Sequence, residues 1–86
     1  MAYRLEYLPA ATKSIEDLPR QVQQRVFRRL EALTLNPRPS GAVKLTGLDA
    51  YRIRVGNYRI IYTIHDQRLI VLVIDVGHRR EVYRRK

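Results

Sequence analysis

Tyr51-Arg52-Ile53-Arg54-Val55-Gly56-Asn57-Tyr58-Arg59-Ile60-Ile61-Tyr62 reads as two strands joined by a tight turn. Arginines alternate with apolar residues in its first half, as they do in a strand with one buried and one solvated face. Gly56-Asn57 is a two-residue hairpin loop. That turn sets Val55 opposite Tyr58, Arg54 opposite Arg59, Ile53 opposite Ile60 and Arg52 opposite Ile61. Arg52, Arg54 and Arg59 then leave the same face of one hairpin. Like charges directly across a ladder destabilise it, so three grouped cations point to an anionic partner. The plain alternative is a solvated strand face that blunts edge-to-edge aggregation.

The surrounding chain supplies the rest of the sheet and its cover. Leu69–Val76 is apolar on both faces and belongs in the sheet interior. A three-residue loop, Asp66-Gln67-Arg68, would put Ile70, Leu72, Ile74 and Val76 on the face of Tyr58, Ile60, Tyr62 and Ile64. That register sets Asp75 opposite Arg59 and sends Arg79 to the arginine side; a two-residue loop would send His78 there instead. Upstream, Tyr3, Leu5 and Tyr7 alternate with Arg4 and Glu6 in a short strand ending at Leu8-Pro9. Ala11, Ile15 and Leu18 follow helical spacing. A second helix opens at Pro19 and carries Val22, Val26, Phe27, Leu30 and Leu33 on one broad stripe. Asn36-Pro37 stops it. Residues 37–49 read as a loop with a short extended piece at Ala42–Leu45. The expected fold is α+β with order βααβββ: a two-helix hairpin on one face of a small, mostly antiparallel sheet, in a single domain over residues 1–86. The other face is left cationic and partly open.

Composition narrows the partner. The chain has 86 residues and a net charge of +9, and 14 of its 17 basic residues are arginine. Arginine makes planar bidentate contacts with phosphate. Residues 51–86 hold 9 basic and 3 acidic residues, so the excess sits in the strand-rich half. Nucleic acid or an acidic protein fits this balance. No apolar run is long enough to span a bilayer and no basic amphipathic helix is evident, so a membrane partner is not expected. Cysteine is absent and Met1 leads directly into an amphipathic strand, which fits a cytoplasmic protein without a signal peptide.

The C-terminal run Gly77-His78-Arg79-Arg80-Glu81-Val82-Tyr83 follows the last strand. Tyr83 lies among His78, Arg79, Arg80, Arg84 and Arg85, a setting that suits base stacking or proton transfer beside phosphate; anchoring the tail to the core is the alternative. His78 is a possible general acid or base, or a residue that caps the core from the helix side. His65 beside Asp66 reads as turn chemistry, Glu81 as an arginine partner, and Arg28-Arg29 as a solvated helix face. Asp49, Asp66 and Asp75 are dispersed, so no carboxylate cluster for Mg²⁺ is expected. With two histidines and no cysteine, no zinc site is expected, and no phosphate loop or dinucleotide fingerprint is present. No cofactor or metal is expected.

The βααβββ order, Lys44-Leu45 before a Gly-bearing loop, the 51–62 hairpin and Val-Gly-His-Arg-Arg-Glu-Val-Tyr-Arg at 76–84 together resemble the RelE branch of the RelE/ParE toxins. The likeness covers nearly the whole chain. It implies the toxin of a type II toxin–antitoxin pair, with a cognate antitoxin, the ribosome and mRNA as partners. Toxins like RelE cleave mRNA in the ribosomal A site without a metal, the 2′-hydroxyl attacking the adjacent phosphate. The resemblance carries the catalytic positions onto Arg52, Arg54, Arg59, Arg79 and Tyr83. It carries RNA contacts onto Arg52, Arg54, Lys44, Arg80 and Arg84. The best-known member has lysines at the positions of Arg52 and Arg54. Arginine does not release its proton, which leaves Tyr83 and His78 as candidate general bases. The rival readings are a ParE-like toxin that inhibits DNA gyrase without cutting RNA, and a plain RNA-binding module. A protein–protein inhibitor has no chemical need for Arg59, Arg79 and Tyr83 together.

Overall fold

The structure, a computed structural model, describes residues 2–78. Strands β1 (Arg4–Tyr7), β2 (Val43–Lys44), β3 (Tyr51–Val55), β4 (Tyr58–His65) and β5 (Ile70–His78) form one sheet in the order β1-β5-β4-β3-β2. β1 lies parallel to β5 and every other adjacent pair is antiparallel. The expected α+β arrangement holds, with the extended piece near residue 43 forming a two-residue edge strand. β5 is paired on both sides, the interior position expected for its apolar run.

Helices α1 (Pro9–Glu16) and α2 (Arg20–Leu35) cover one face of the sheet. Pro9 occupies the first turn of α1 and Pro19 the N-cap of α2, where a missing N–H costs no helical bond. The Gln23 amide donates to the carbonyls of Ile15 (2.8 Å) and Glu16 (3.2 Å). Those acceptors lie in the last turn of α1, where the Ile15 carbonyl also takes the Leu18 N–H at 3.1 Å, so Gln23 ties the helical hairpin shut. Asn36 ends α2 in extended backbone.

Ala11, Ile15, Val26, Leu30 and Leu33 pack on Ile53, Val55, Ile60, Tyr62, Val71, Val73 and Val76. Full burial of each large side chain here contributes about 1.5–3 kcal/mol. Phe27 departs from the expected stripe and is 46% exposed. Each residue turns about 100° around a helix, so the residue after Val26 rotates away from the sheet. The apolar stripe of α2 is therefore narrower than the sequence pattern implied.

The β4–β5 connection corrects a second expectation. His65 pairs with Ile70, so the loop has four residues rather than three. Leu69 sits there at φ 55, a conformation usually taken by Gly, Asn or Asp. The one-residue difference turns Val71 and Val73, not Ile70, Leu72 and Ile74, toward the helices. A bulge then restores the parity. Ile61 pairs with Asp75 and Tyr62 with Val73, leaving Ile74 as the extra residue. Val76 consequently reaches the helix face as expected, and Arg59 pairs with Gly77 instead of Asp75.

Tyr62 is fully buried, and its hydroxyl donates to the Pro37 carbonyl at 2.8 Å. Burial pushes the Tyr62 hydroxyl up to about 12, so it remains a donor. Tyr62→Phe strands a buried carbonyl and is expected to cost about 1–3 kcal/mol. Denaturant unfolding checks this value, and an unchanged midpoint would show that water replaces the bond.

Candidate functional site

The hairpin forms in the expected register: Val55 with Tyr58, Arg54 with Arg59, Ile53 with Ile60 and Arg52 with Ile61. Gly56 adopts φ 59 at the first loop position while Asn57 keeps negative φ. This matches the two-residue turn that places glycine first. Ile53, Val55, Ile60 and Tyr62 enter the main core, so Arg52, Arg54 and Arg59 occupy the opposite face.

The three arginines differ in environment. Arg54 is exposed and Arg52 half-buried. Arg59 is only 7% exposed, which departs from a fully solvated row. Its neighbour on β5 is Gly77, which offers no side chain to compete for that space. The face is also less polar than expected, because Ile61 and Ala50 form a second small apolar cluster with Leu45 and Ile74. A guanidinium bedded on such a surface is held more rigidly than one on an open strand.

Other candidates separate from this face. His78 pairs with Tyr58, and the rings meet edge-on at 5.7 Å. It therefore shares the side of Tyr58, which alternates with Arg59, and caps the helix side of the sheet. Asp75 is buried, accepts the Val76 N–H at 2.9 Å and takes the Ser14 hydroxyl from α1 at 3.4 Å. The carboxylate thus engages the helix layer rather than standing opposite Arg59. Lys44 pairs with Tyr51, not Arg52, and its amine lies 3.9 Å from Asp49. Arg79, Arg80, Tyr83 and Arg84 lie outside the described residues. Among the described residues, no three His, Cys, Asp or Glu side chains gather as metal ligands.

Two clusters were not visible in the sequence. The first joins four segments. Arg38 donates to both carboxylate oxygens of Asp66 (3.2 and 2.8 Å), and the Tyr3 hydroxyl donates to the same group at 2.7 Å. Arg38 also donates to the Tyr51 hydroxyl at 3.3 Å and lies over its ring, which stacks on Tyr62. These partners are far apart in sequence, so no local spacing announces them. The Arg38 hydrogen bonds, aided by Tyr3, hold the Asp66 carboxyl down at about 2. A lowered carboxyl stabilises the fold above its unfolded value of about 3.9, and the stabilisation disappears as pH falls through the folded value. The melting-temperature advantage of wild type over Asp66→Asn should therefore be full above pH 5 and vanish toward pH 2. A pH-independent difference would assign the effect to packing.

The second cluster lies at the hairpin tip. A shallow cleft is lined by Arg25, Arg28, Arg29 and Ala32 of α2 and by Arg54, Val55 and Gly56. The helix arginines, expected to be a merely solvated face, thus meet Arg54 of the hairpin.

A two-helix cover on one face of a mixed sheet, with a cationic hairpin, is an architecture this chain shares with known toxins. The sequence model of the ParE toxin of the type II toxin–antitoxin system parDE matches residues 5–83. The mRNA interferase toxin RelE of Escherichia coli K12 is 35% identical, over 96% of this chain and 92% of its own length. The crystal structure of isolated E. coli RelE superposes with a TM-score of 0.81 at 33% identity, covering 95% of this chain and 92% of that one. The toxin in the intact E. coli RelBE toxin–antitoxin complex gives 0.81 at 31% identity, covering 90% and 96%. The chain belongs to the RelE/ParE family of type II toxin–antitoxin toxins, on its RelE-like side.

Proposed function

We propose that this chain is a ribosome-dependent mRNA endoribonuclease that needs no metal and acts in the cytoplasm, held in check by a cognate antitoxin. The observation that carries the reading is the hairpin register, which fixes Arg54 opposite Arg59 with Arg52 on the same face, in a chain 35% identical to an mRNA interferase. The 2′-oxygen of the scissile nucleotide attacks the adjacent phosphorus. The O2′–P bond forms, the P–O5′ bond breaks, and the departing 5′-oxygen takes up a proton. Arg59 neutralises the charge that gathers on the non-bridging oxygens, where one well-placed donor is worth ~2.7–4 kcal/mol. Arg52 and Arg54 hold the flanking backbone. Arg79 and Tyr83 complete the site by resemblance, Tyr83 orienting or deprotonating the 2′-hydroxyl.

Induction of the chain alone is expected to arrest translation before DNA synthesis, with primer extension revealing new mRNA ends within translated codons. The upstream fragments should carry 2′,3′-cyclic phosphates and the downstream fragments 5′-hydroxyls. A 2′-O-methyl group at the scissile nucleotide should abolish cutting. The match to the ParE family model keeps gyrase inhibition as the rival reading. Loss of supercoiling while mRNA stays intact would establish it.

A further inference from the structure

The geometry points to a second RNA-backbone site, separate from the scissile position: the arginine cleft between α2 and the tip of the β3–β4 hairpin. β2 pairs only with Tyr51 and Arg52, so among the described residues the outer edge of β3 beyond Arg52 has no neighbouring strand. The cleft occupies that gap, with a volume of 390 Å³. Arg25, Arg28 and Arg29 are spaced i, i+3 and i+4, which puts them on one side of α2 within ~6 Å along its axis. Arg25 is not simply extended into solvent. Its guanidinium nitrogens lie 3.1 and 3.4 Å from where a Cβ at residue 56 would be. Gly56 thus serves the turn and leaves room for Arg25.

Among the described residues, no carboxylate is paired with Arg25, Arg28, Arg29 or Arg54. Four unneutralised guanidiniums around one cleft repel one another in the free protein, and a polyanion relieves that repulsion. A phosphodiester backbone fits better than an acidic peptide. It presents a charge at every unit and matches the bidentate fork of arginine. The cleft offers only Ala32 and Val55 as apolar lining, too little for the buried anchors a peptide interface relies on. Arg54 belongs both to the cleft and to the strand face, so a backbone leaving that face meets the cleft next. This continuity rests on the interferase reading.

The experiment compares R25A/R28A/R29A with K13A/R20A/R68A, which removes the same charge from exposed sites elsewhere. Alanine favours helix at all three α2 positions, and melting temperature confirms folding. Binding is measured against salt on two probes: ribosomes carrying an mRNA with a 2′-O-methyl block, and a protein-free RNA hairpin. The α2 variant should bind both about tenfold or more weakly, and its log–log salt slope should fall by about 2–3, whereas the control should change neither. Equal slopes for the two variants overturn the proposal. Unchanged RNA binding with lost affinity for an oligo-glutamate peptide also overturns it, by making the cleft an acidic-protein site. If the slope falls on the hairpin and no form of the protein binds ribosomes, the cleft stands and the interferase reading fails.

Discussion

Arg59→Met is expected to lower single-turnover cleavage of programmed ribosomes by about 10²–10³-fold, the cost of removing one preorganised donor from a developing oxyanion. Methionine preserves most of the stem and deletes the guanidinium. The expectation rests on position. Arg59 lies in the interior strand β4, is 7% exposed, and is flanked by Arg54 on one side and Gly77 on the other. A cation held that way reorganises little when charge builds on phosphate, so its effect belongs to the chemical step. Arg54 is exposed on the thinly covered β3, so Arg54→Met should act mainly on affinity and on the salt slope. Cleavage at the wild-type rate by Arg59→Met, with melting temperature preserved, would remove Arg59 from the reaction.

The residues themselves show why one part of this site was readable and another was not. The β3–β4 hairpin announced its register because Gly56-Asn57 admits essentially one loop length, and alternation on both sides agrees with it. The partners of Arg52, Arg54 and Arg59 followed directly. The β4–β5 connection carries no such signal. Leu69 at φ 55 occupies a place where sequence reasoning looks for Gly, Asn or Asp. The bulge at Ile74 then shifts the parity again inside an unbroken apolar run. Both faces of the stretch 70–74 are apolar, so nothing there marks which side is buried, and the placement of Asp75 failed for that reason. Phe27 misled in the opposite direction, since an aromatic beside Val26 looks like core until the helix angle excludes it. The Arg25–Arg29 cleft and the Arg38–Asp66–Tyr3 cluster depend on which loops the sheet brings together. Family resemblance identifies neither, because it transfers motif positions and not tertiary neighbours.

Tyr83→Phe carries the other large expected effect and decides how the proton moves. By the resemblance, Arg52 and Arg54 take positions held by lysines in the best-known member of the family, and a guanidinium does not act as a base near neutral pH. That leaves Tyr83 and His78 as the candidate proton acceptors. If the Tyr83 hydroxyl takes part, Tyr83→Phe should cut the single-turnover rate by ~10²–10⁴-fold with ribosome affinity nearly unchanged. If the ring only stacks on a base, Tyr83→Phe is near neutral and Tyr83→Ala costs ~1–3 kcal/mol of binding. His78 is the rival, and the structure weakens its case. Its ring meets Tyr58 edge-on, on the side of the sheet opposite Arg54 and Arg59. Reaching a phosphate on the arginine face would require the end of β5 to turn over. His78→Ala should accordingly leave the cleavage rate within a few fold while lowering melting temperature slightly through the lost ring contact. Normal cleavage by Tyr83→Ala together with an inactive, folded His78→Ala would transfer the proton to the histidine and would mean that β5 rearranges when RNA binds.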